Sequence, residues 1–369
     1  SANRDMSFIS LTEKLIMYIN SINYFSGSSI ILSEFGHCLT LADYTYDSIA
    51  GNTLFNLTKG GTVFFVFISG FLFHHIFYEK FRFKDFIIKK TKYVLVPYLI
   101  LSTIPIVHLL ISTSISGILS SSTFSLKYES LLSFPILNHY FTGSDKNFVG
   151  YWYIPFIIIV FVMSPIFIRF IQLRLKTQIL TTLLLLICSI FMHRGTYLNA
   201  FSVFQNVLFF TPVYLLGIIL SKKKDLIYSK LTGKEFYILS LPLTLTIIQA
   251  YIGRFGTYHK APFTFGGIDL MIIQKILLCL FFMIFLNRFE NYKLRFLEII
   301  AANSFGVYFT HGIIISFFTT IKKKLDFSFT SNSFITYCLV TILIFFISII
   351  ATLFVKRLFP KYSRYLIGS

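Results

Sequence analysis

The residue with the clearest chemical potential is His37. It lies in the run Ile30-Ile31-Leu32-Ser33-Glu34-Phe35-Gly36-His37-Cys38, and Glu34 stands three residues before it. On a helix that spacing puts the carboxylate and the imidazole on one face. A carboxylate beside an imidazole fixes its tautomer and raises its basicity, which a general base requires. The bland alternative is a pair that only ties two helices together.

Three further groups of residues carry a chemical pattern. Ser304, Tyr308 and His311 are spaced i, i+4, i+7 and form one stripe on a helix. Such a stripe suits the lining of a path or the hydrogen bonds that join helices. Lys89, Lys90 and Lys92 close a basic hairpin that begins at Lys80, either as a phosphate clamp or as an ordinary charged loop. The stretch Gly60 to Leu72 mixes Gly and Ser69 with aromatics, which permits close helix contact. His74, His75 and His108 have no partner spacing and read as packing or interfacial residues. Trp152, between Tyr151 and Tyr153, reads by default as an aromatic belt at a membrane boundary, with stacking on a sugar face as the functional option. No HExxH, P-loop or Cys-rich pattern occurs, so neither a metal nor a permanently bound cofactor is expected.

The elements that must hold these residues follow from composition. Of the 369 residues 55% are hydrophobic and only 13% are charged, about half the charged fraction of a soluble domain. Most of the surface therefore meets something other than water, and the expected class is an all-α, polytopic transmembrane bundle forming a single domain over 1–369. The formal charge of +18 is explained by basic loops at a membrane face rather than by nucleic acid, which is not expected as a partner. The cysteines Cys38, Cys188, Cys279 and Cys338 sit in apolar runs and read as small buried hydrophobes.

A helix needs about 20 apolar residues to span a bilayer. Candidate spans are 17–41, 61–79, 93–116, 151–171, 178–193, 203–221, 236–253, 268–287, 297–319 and 334–356, about ten in all. Most of the 33 Lys and Arg fall in segments that share one side if both termini are cytoplasmic. On the other side lie Lys59, Lys127, Lys146, Arg194, Arg254, Lys260 and the triplet Lys322–Lys324, the main exception to the rule. The connection 117–150 is long enough for a short helix or a lid. No internal repeat is evident by eye, which disfavours a transporter of duplicated halves.

In their order along the chain, several of these features resemble the membrane acyltransferase-3 family, whose members O-acylate cell-surface glycans. They are the Gly36-His37-Cys38 triplet in the first span and the Phe64 to Leu72 stretch in the second. The basic hairpin ending at Pro97-Tyr98, the Tyr151-Trp152-Tyr153 opening of the fourth span and the Ser304 to His311 helix complete the set, with Ser363 to Gly368 at the end.

The resemblance implies a ten-helix bundle in the cell membrane that takes an acyl group, usually acetyl, from cytoplasmic acyl-CoA. It delivers the group to a hydroxyl of a cell-surface polysaccharide or its lipid-linked precursor. His37 would be the base or a transient acyl carrier, with Glu34 orienting it, and Lys89, Lys90 and Lys92 would hold the coenzyme's phosphates. Ser69 and Tyr308 would donate to the developing oxyanion, and Trp152, Ser304 and His311 would line the path. The family carries an Arg eleven residues before the His, where this chain has Ser26. Eleven residues are three turns and about 16.5 Å, so the missing guanidinium belongs to the same face, below the His. The alternative is a transporter or flippase of a glycan or lipid-linked intermediate. The sequence does not address oligomeric state.

Overall fold

The structure, a computed structural model, describes residues 19–46, 48–104, 106–107, 134–143, 150–196, 200–254, 256–261, 264, 266–329 and 333–369. It is a bundle of helices with one two-residue parallel strand pair among the described residues. In chain order the first helices are α1 (Asn20–His37), α2 (Ile49–Thr58), α3 (Thr62–Leu72) and α4 (Phe83–Lys90). Helix α3 runs on through a π-helical turn, Phe73–Phe77, and α4 through another, Thr91–Leu95, into helical residues 96–104. Then come α5 (Phe134–Thr142), α6 (Tyr153–Val162), α7 (Ser164–Gln172) and α8 (Leu175–Met192). Strand β1 (Arg194–Gly195), α9 (Ala200–Lys222), α10 (Lys224–Leu231) and α11 (Glu235–Tyr251) follow. The chain closes with β2 (His259–Lys260), α12 (Leu270–Asn287), α13 (Arg295–Lys324), α14 (Phe334–Leu358) and α15 (Ser363–Leu366).

Six of the described helices are long and apolar enough to cross a membrane, or up to eight if each bent pair counts as one span. The expected ten are therefore not all found as such. The span expected at 151–171 is α6 and α7, bent by 55° at Met163 just before Pro165. Pro165 lacks an amide hydrogen and cannot continue the ladder of the preceding helix. Helices α10 and α11 meet at 94°. The segment expected to join the first two spans contains α2, whose Asn56 and Thr58 are buried. The short helix expected within 117–150 corresponds to α5, while 108–133 and 144–149 lie outside the described residues, as do the first eighteen.

Helix α1 does not qualify as a span by apolarity, because it carries Asn20, Asn23, Glu34 and five serines along its length. It is retained by partners at both ends. The Glu290 carboxylate accepts the amides of Asn20 and Ser21, each at 2.8 Å, so a negative group caps the positive helix terminus. At the other end the Lys59 ammonium donates to the Gly36 carbonyl, and the Tyr337 hydroxyl to that of Phe35. Helix α2 ends in the same way: Lys275, buried in α12, donates to the carbonyls of Asn56 at 3.1 Å and Leu57 at 2.7 Å. Lys322 is also bound, to the Asp43 carboxylate at 2.5 Å and the Leu41 carbonyl at 3.0 Å. Lys323 and Lys324 share the last turn of α13, where the helix dipole favours cations. The exceptional triplet thus has a local structural reason.

The tightest helix pair is α3 with α9. Gly70 and Gly217 face one another so closely that a Cβ at Gly70 would collide with the Tyr214 carbonyl, and one at Gly217 with that of Phe67. Small residues let backbones approach in this way inside a membrane. Overpacking of this kind costs about 1–3 kcal/mol. Gly70→Ala should therefore lower the thermal midpoint of the detergent-solubilised protein, read by the loss of the monodisperse peak on heating. An unchanged midpoint would show that the helices do not meet as described.

Candidate active site

A cavity of about 1120 Å³ runs between α1, α3, α6 and α13. One end is built by the hairpin and the C-terminal segment, through Lys89, Lys90, Tyr93, Arg364 and Gly368. The other is built by the ends of α1 and α2 and the strand pair, through His37, Lys59, Arg194, Thr257 and His259. The wall between them carries Ser26, Ser33, Ser69, Tyr153, Ser304, Tyr308 and His311. The cations facing this space are Lys59, Lys89, Lys90, Arg194 and Arg364, and among the described residues no Asp or Glu lines it.

His37 and His311 stand together, their ring centroids 5.3 Å apart. His311 Nδ1 lies 3.1 Å from the Val307 carbonyl on its own helix. A carbonyl only accepts, so Nδ1 carries the hydrogen and Nε2 presents a lone pair. That Nε2 is buried and has no hydrogen-bond partner among the described residues. Gly150, at φ 103°, lies against the His311 ring and brings no side chain over it. His311 is therefore an imidazole of fixed tautomer beside a second imidazole, His37, on the cavity wall.

The i, i+4, i+7 stripe faces the cavity, but its hydroxyls are committed. Tyr308 donates to the Gly150 carbonyl at 2.5 Å, so its hydrogen holds the start of α6 and cannot serve a developing oxyanion. Ser304 donates to the Ala301 carbonyl at 2.8 Å, which leaves its oxygen to Ser26 at 3.4 Å. Ser69 lies on the wall. Glu34 is not in the cavity: it is 1% exposed, and both carboxylate oxygens are without a hydrogen bond among the described residues. Three residues of spacing place it near His37 on the helix but do not bring the two groups together.

At the hairpin end the three lysines separate. Lys89 and Lys90 line the cavity, whereas Lys92 is exposed and does not. Lys90 lies over the rings of Phe161, Phe77 and Phe86, at 4.5, 5.3 and 5.3 Å, so aromatic faces hold its ammonium in place. Arg364 joins them from the C-terminal segment, stacked on Tyr93 at 4.1 Å. At the far end Trp152 is buried, not set in a lipid belt, and the Arg194 guanidinium covers its ring at 3.6 Å, so that face is closed to a sugar. His259 Nδ1 donates to the Gly195 carbonyl at 3.1 Å, and its Nε2 accepts from the Thr257 hydroxyl at 2.9 Å. Burial, reinforced by Arg194, pushes this imidazole down to about 4, so it is neutral at pH 7. His74, read as packing, sits 3.0 Å from the Ser221 hydroxyl at the helix interface.

The residues that sequence reasoning missed are Lys59, Arg194, Thr257, His259 and Arg364. The available signal was that Lys59 and Arg194 belong to the sparse charge of the side opposite the hairpin. The chain is thus a helical membrane protein with paired imidazoles on the wall of a cavity whose charged Lys, Arg, Asp and Glu lining, among the described residues, is all cationic. A family model described as an acyltransferase domain matches residues 19–353, and the chain belongs to that family. No curated protein and no solved structure matches the chain significantly.

The cavity wall can be checked by chemical labelling. With Cys188 and Cys338 replaced by Ser, cysteines at Ser26 and Ser69 should react with a small polar methanethiosulfonate. A cysteine at Glu34 should stay unmodified on the same timescale. Equal labelling at all three positions would overturn the assignment of the wall.

Proposed function

We propose that this membrane acyltransferase moves an acyl group, acetyl by family likeness, from cytoplasmic acyl-CoA to a hydroxyl of a cell-surface glycan or its lipid-linked precursor. The observation that carries the reading is one cavity reaching from a cationic, hairpin-lined end to a pair of imidazoles near the other end of α1. Coenzyme A is an anion with a long, thin, uncharged arm. Its phosphates fit Lys89, Lys90 and Arg364, and its arm fits the apolar wall that includes Ile30, Phe65, Ile68 and Ile157. With the hairpin facing the cytoplasm, as the charge distribution indicates, the thioester arrives at His37 from one side and the acceptor hydroxyl from the other. This is the arrangement needed across a core of about 30 Å.

The chemistry needs no further group. An imidazole takes the proton of the acceptor hydroxyl as its oxygen bonds to the thioester carbonyl carbon. The carbon–sulfur bond then breaks, the ester is formed, and the departing thiolate takes the proton back from the imidazolium. His37 is the residue that carries the family's role, and His311, with its bare Nε2, shares or relays the proton. Ser69, on the cavity wall, is the hydroxyl proposed for the oxyanion, which requires it to turn from Tyr153. Ser26 supplies no charge where the family has Arg, and Lys90 in its aromatic cage is the cation that substitutes for it.

Membranes containing the protein, incubated with labelled acetyl-CoA, should transfer label to extracted polysaccharide. His37→Ala and His311→Ala should each lower the rate by about 10²–10⁴-fold, the usual contribution of a positioned proton-transfer group. Glycan export without labelling, unaffected by either change, would favour the transporter. Lys90→Gln should raise the KM for acetyl-CoA, and Ser26→Arg should recover part of that loss in the Lys90→Gln background. A Ser26→Arg change that leaves the Lys90→Gln defect untouched would refute the substitution of one cation by the other.

A further inference from the structure

Lys275 sits in the second turn of α12, is fully buried, and has no part in the proposed reaction. A lysine inside a membrane span is costly and is kept where it serves a purpose. Capping α2 is only part of that purpose, because Gln274 already donates to the Asn56 carbonyl at 3.1 Å.

The lysine side chain spans a corner of the fold. Its ammonium donates to the carbonyls of Asn56 and Leu57, at 3.1 and 2.7 Å, where α2 ends. Its stem lies against Gly60, where an added Cβ would stand 3.2 Å from Lys275 Cε. The ammonium is also 5.6 Å from the centre of the Phe64 ring, in the first turn of α3. One side chain thus ties the end of α2, the turn and the start of α3 to α12. The end of α1 rests on this same corner. Lys59 donates to the carbonyl of Gly36, the residue before His37. A Cβ at Gly36 would stand 3.2 Å from the Thr58 carbonyl, and one at Gly61 would stand 2.7 Å from Ser33 Oγ. Gly36, Thr58, Lys59 and Gly61 border the cavity together with His37, whereas Lys275 lies behind them and outside the lining.

We propose that Lys275 is a positioning residue for His37: it sets the α2–α3 corner so that Lys59 and Gly61 seat the last turn of α1 at the cavity. This deepens the acyl-transfer reading of the site and rests on it. The lysine touches no substrate and acts only through the placement of the imidazole.

The test uses the full protein in lipid nanodiscs, with Lys275→Met as a substitution of similar length and volume. Lys275→Gln, shorter but still an amide donor, is carried in parallel and should show a smaller change of the same kind. Diethylpyrocarbonate modification, read peptide by peptide, should become faster at His37 and stay unchanged at His74, at the other end of α3. The kcat for transfer from acetyl-CoA should fall by about tenfold to a hundredfold, the order of cost of a reacting group misplaced by about 1 Å. The KM for acetyl-CoA should not move, since the donor's phosphates bind at the hairpin end. Lys59→Met should lower kcat as well, and adding it to Lys275→Met should lower it no further, because both act along one path. Unchanged His37 reactivity, equal acceleration at His74, an unaffected kcat or effects that multiply would each overturn the proposal. Faster modification confined to His37, in a wild-type protein that transfers no acyl group, would leave the positioning intact and remove the acyl-transfer reading.

Discussion

A membrane bundle can hold a polar helix at its centre only when the polar groups at that helix's ends are bound by the protein itself. Water is absent from the hydrocarbon, and an unpaired backbone group there costs several kcal/mol. Helix α1 meets this constraint with Glu290 on its first amides and Lys59 and Tyr337 on its last carbonyls. Two of its serines, Ser26 and Ser33, then face the internal space, and His37, in its last turn, lies on the same wall. The remaining features follow from this one. Helix α13 packs along α1 and brings Ser304, Tyr308 and His311 to the same wall, and α3 closes it from the side, locked to α9 through Gly70 and Gly217.

The groups that look available for catalysis are mostly occupied with keeping the space open. Tyr308 ties α13 to Gly150, and Tyr151 returns the connection by donating to the Phe309 carbonyl at 2.8 Å. Ser304 is bound to its own helix. Beside the His37 ring the buried His311 Nε2 has no hydrogen-bond partner among the described residues, which is why the proposal places proton transfer at this pair. An orphaned lone pair in a buried site is costly unless something arrives to use it. Here a hydroxyl entering the cavity would supply the missing hydrogen.

Much of this was legible in the sequence, and the failures are instructive. The helical class came from the scarcity of charge, and the Ser304 stripe from its period, because both depend on local composition. His37 stood out because imidazoles are rare in apolar runs. Glu34 misled because a three-residue offset fixes only a common flank of the helix, whereas the side chain turned into the packed interior away from the cavity. Trp152 misled because a tryptophan beside a span is as consistent with a lipid boundary as with a buried stack, and only the arrival of Arg194 from another loop decides. Helix α2 was invisible as a buried element since its polar residues Asn56 and Thr58 read as loop. The burial of Asn56 is made possible by Gln274, Lys275, the Arg254 carbonyl and the Gly256 amide, all some 200 residues away, while Thr58 donates to the Phe55 carbonyl of its own helix. Lys59, Arg194 and Arg364 join the cavity through tertiary contacts that no spacing encodes.

The cationic lining also bears on direction and energetics. Five Lys and Arg border one space, with no acid on its wall among the described residues; Arg194 is buried, Lys59 and Lys90 are half-buried, and Lys89 and Arg364 are exposed. Such a lining attracts an anion, which is what the proposed phosphate-bearing donor requires. The same field acts on the chemistry. In the proposed reaction a neutral thioester gives a thiolate, and a positive environment would stabilise that charge as it develops, before the proton is returned. The aromatic faces around Lys90 hold one such cation without neutralising it, since a ring quadrupole attracts an ammonium but carries no net charge to compete with substrate. An acid in that position would hold the lysine equally well and would close the cavity to every anion. The aromatic cage is therefore the solution that keeps both the cation and the passage.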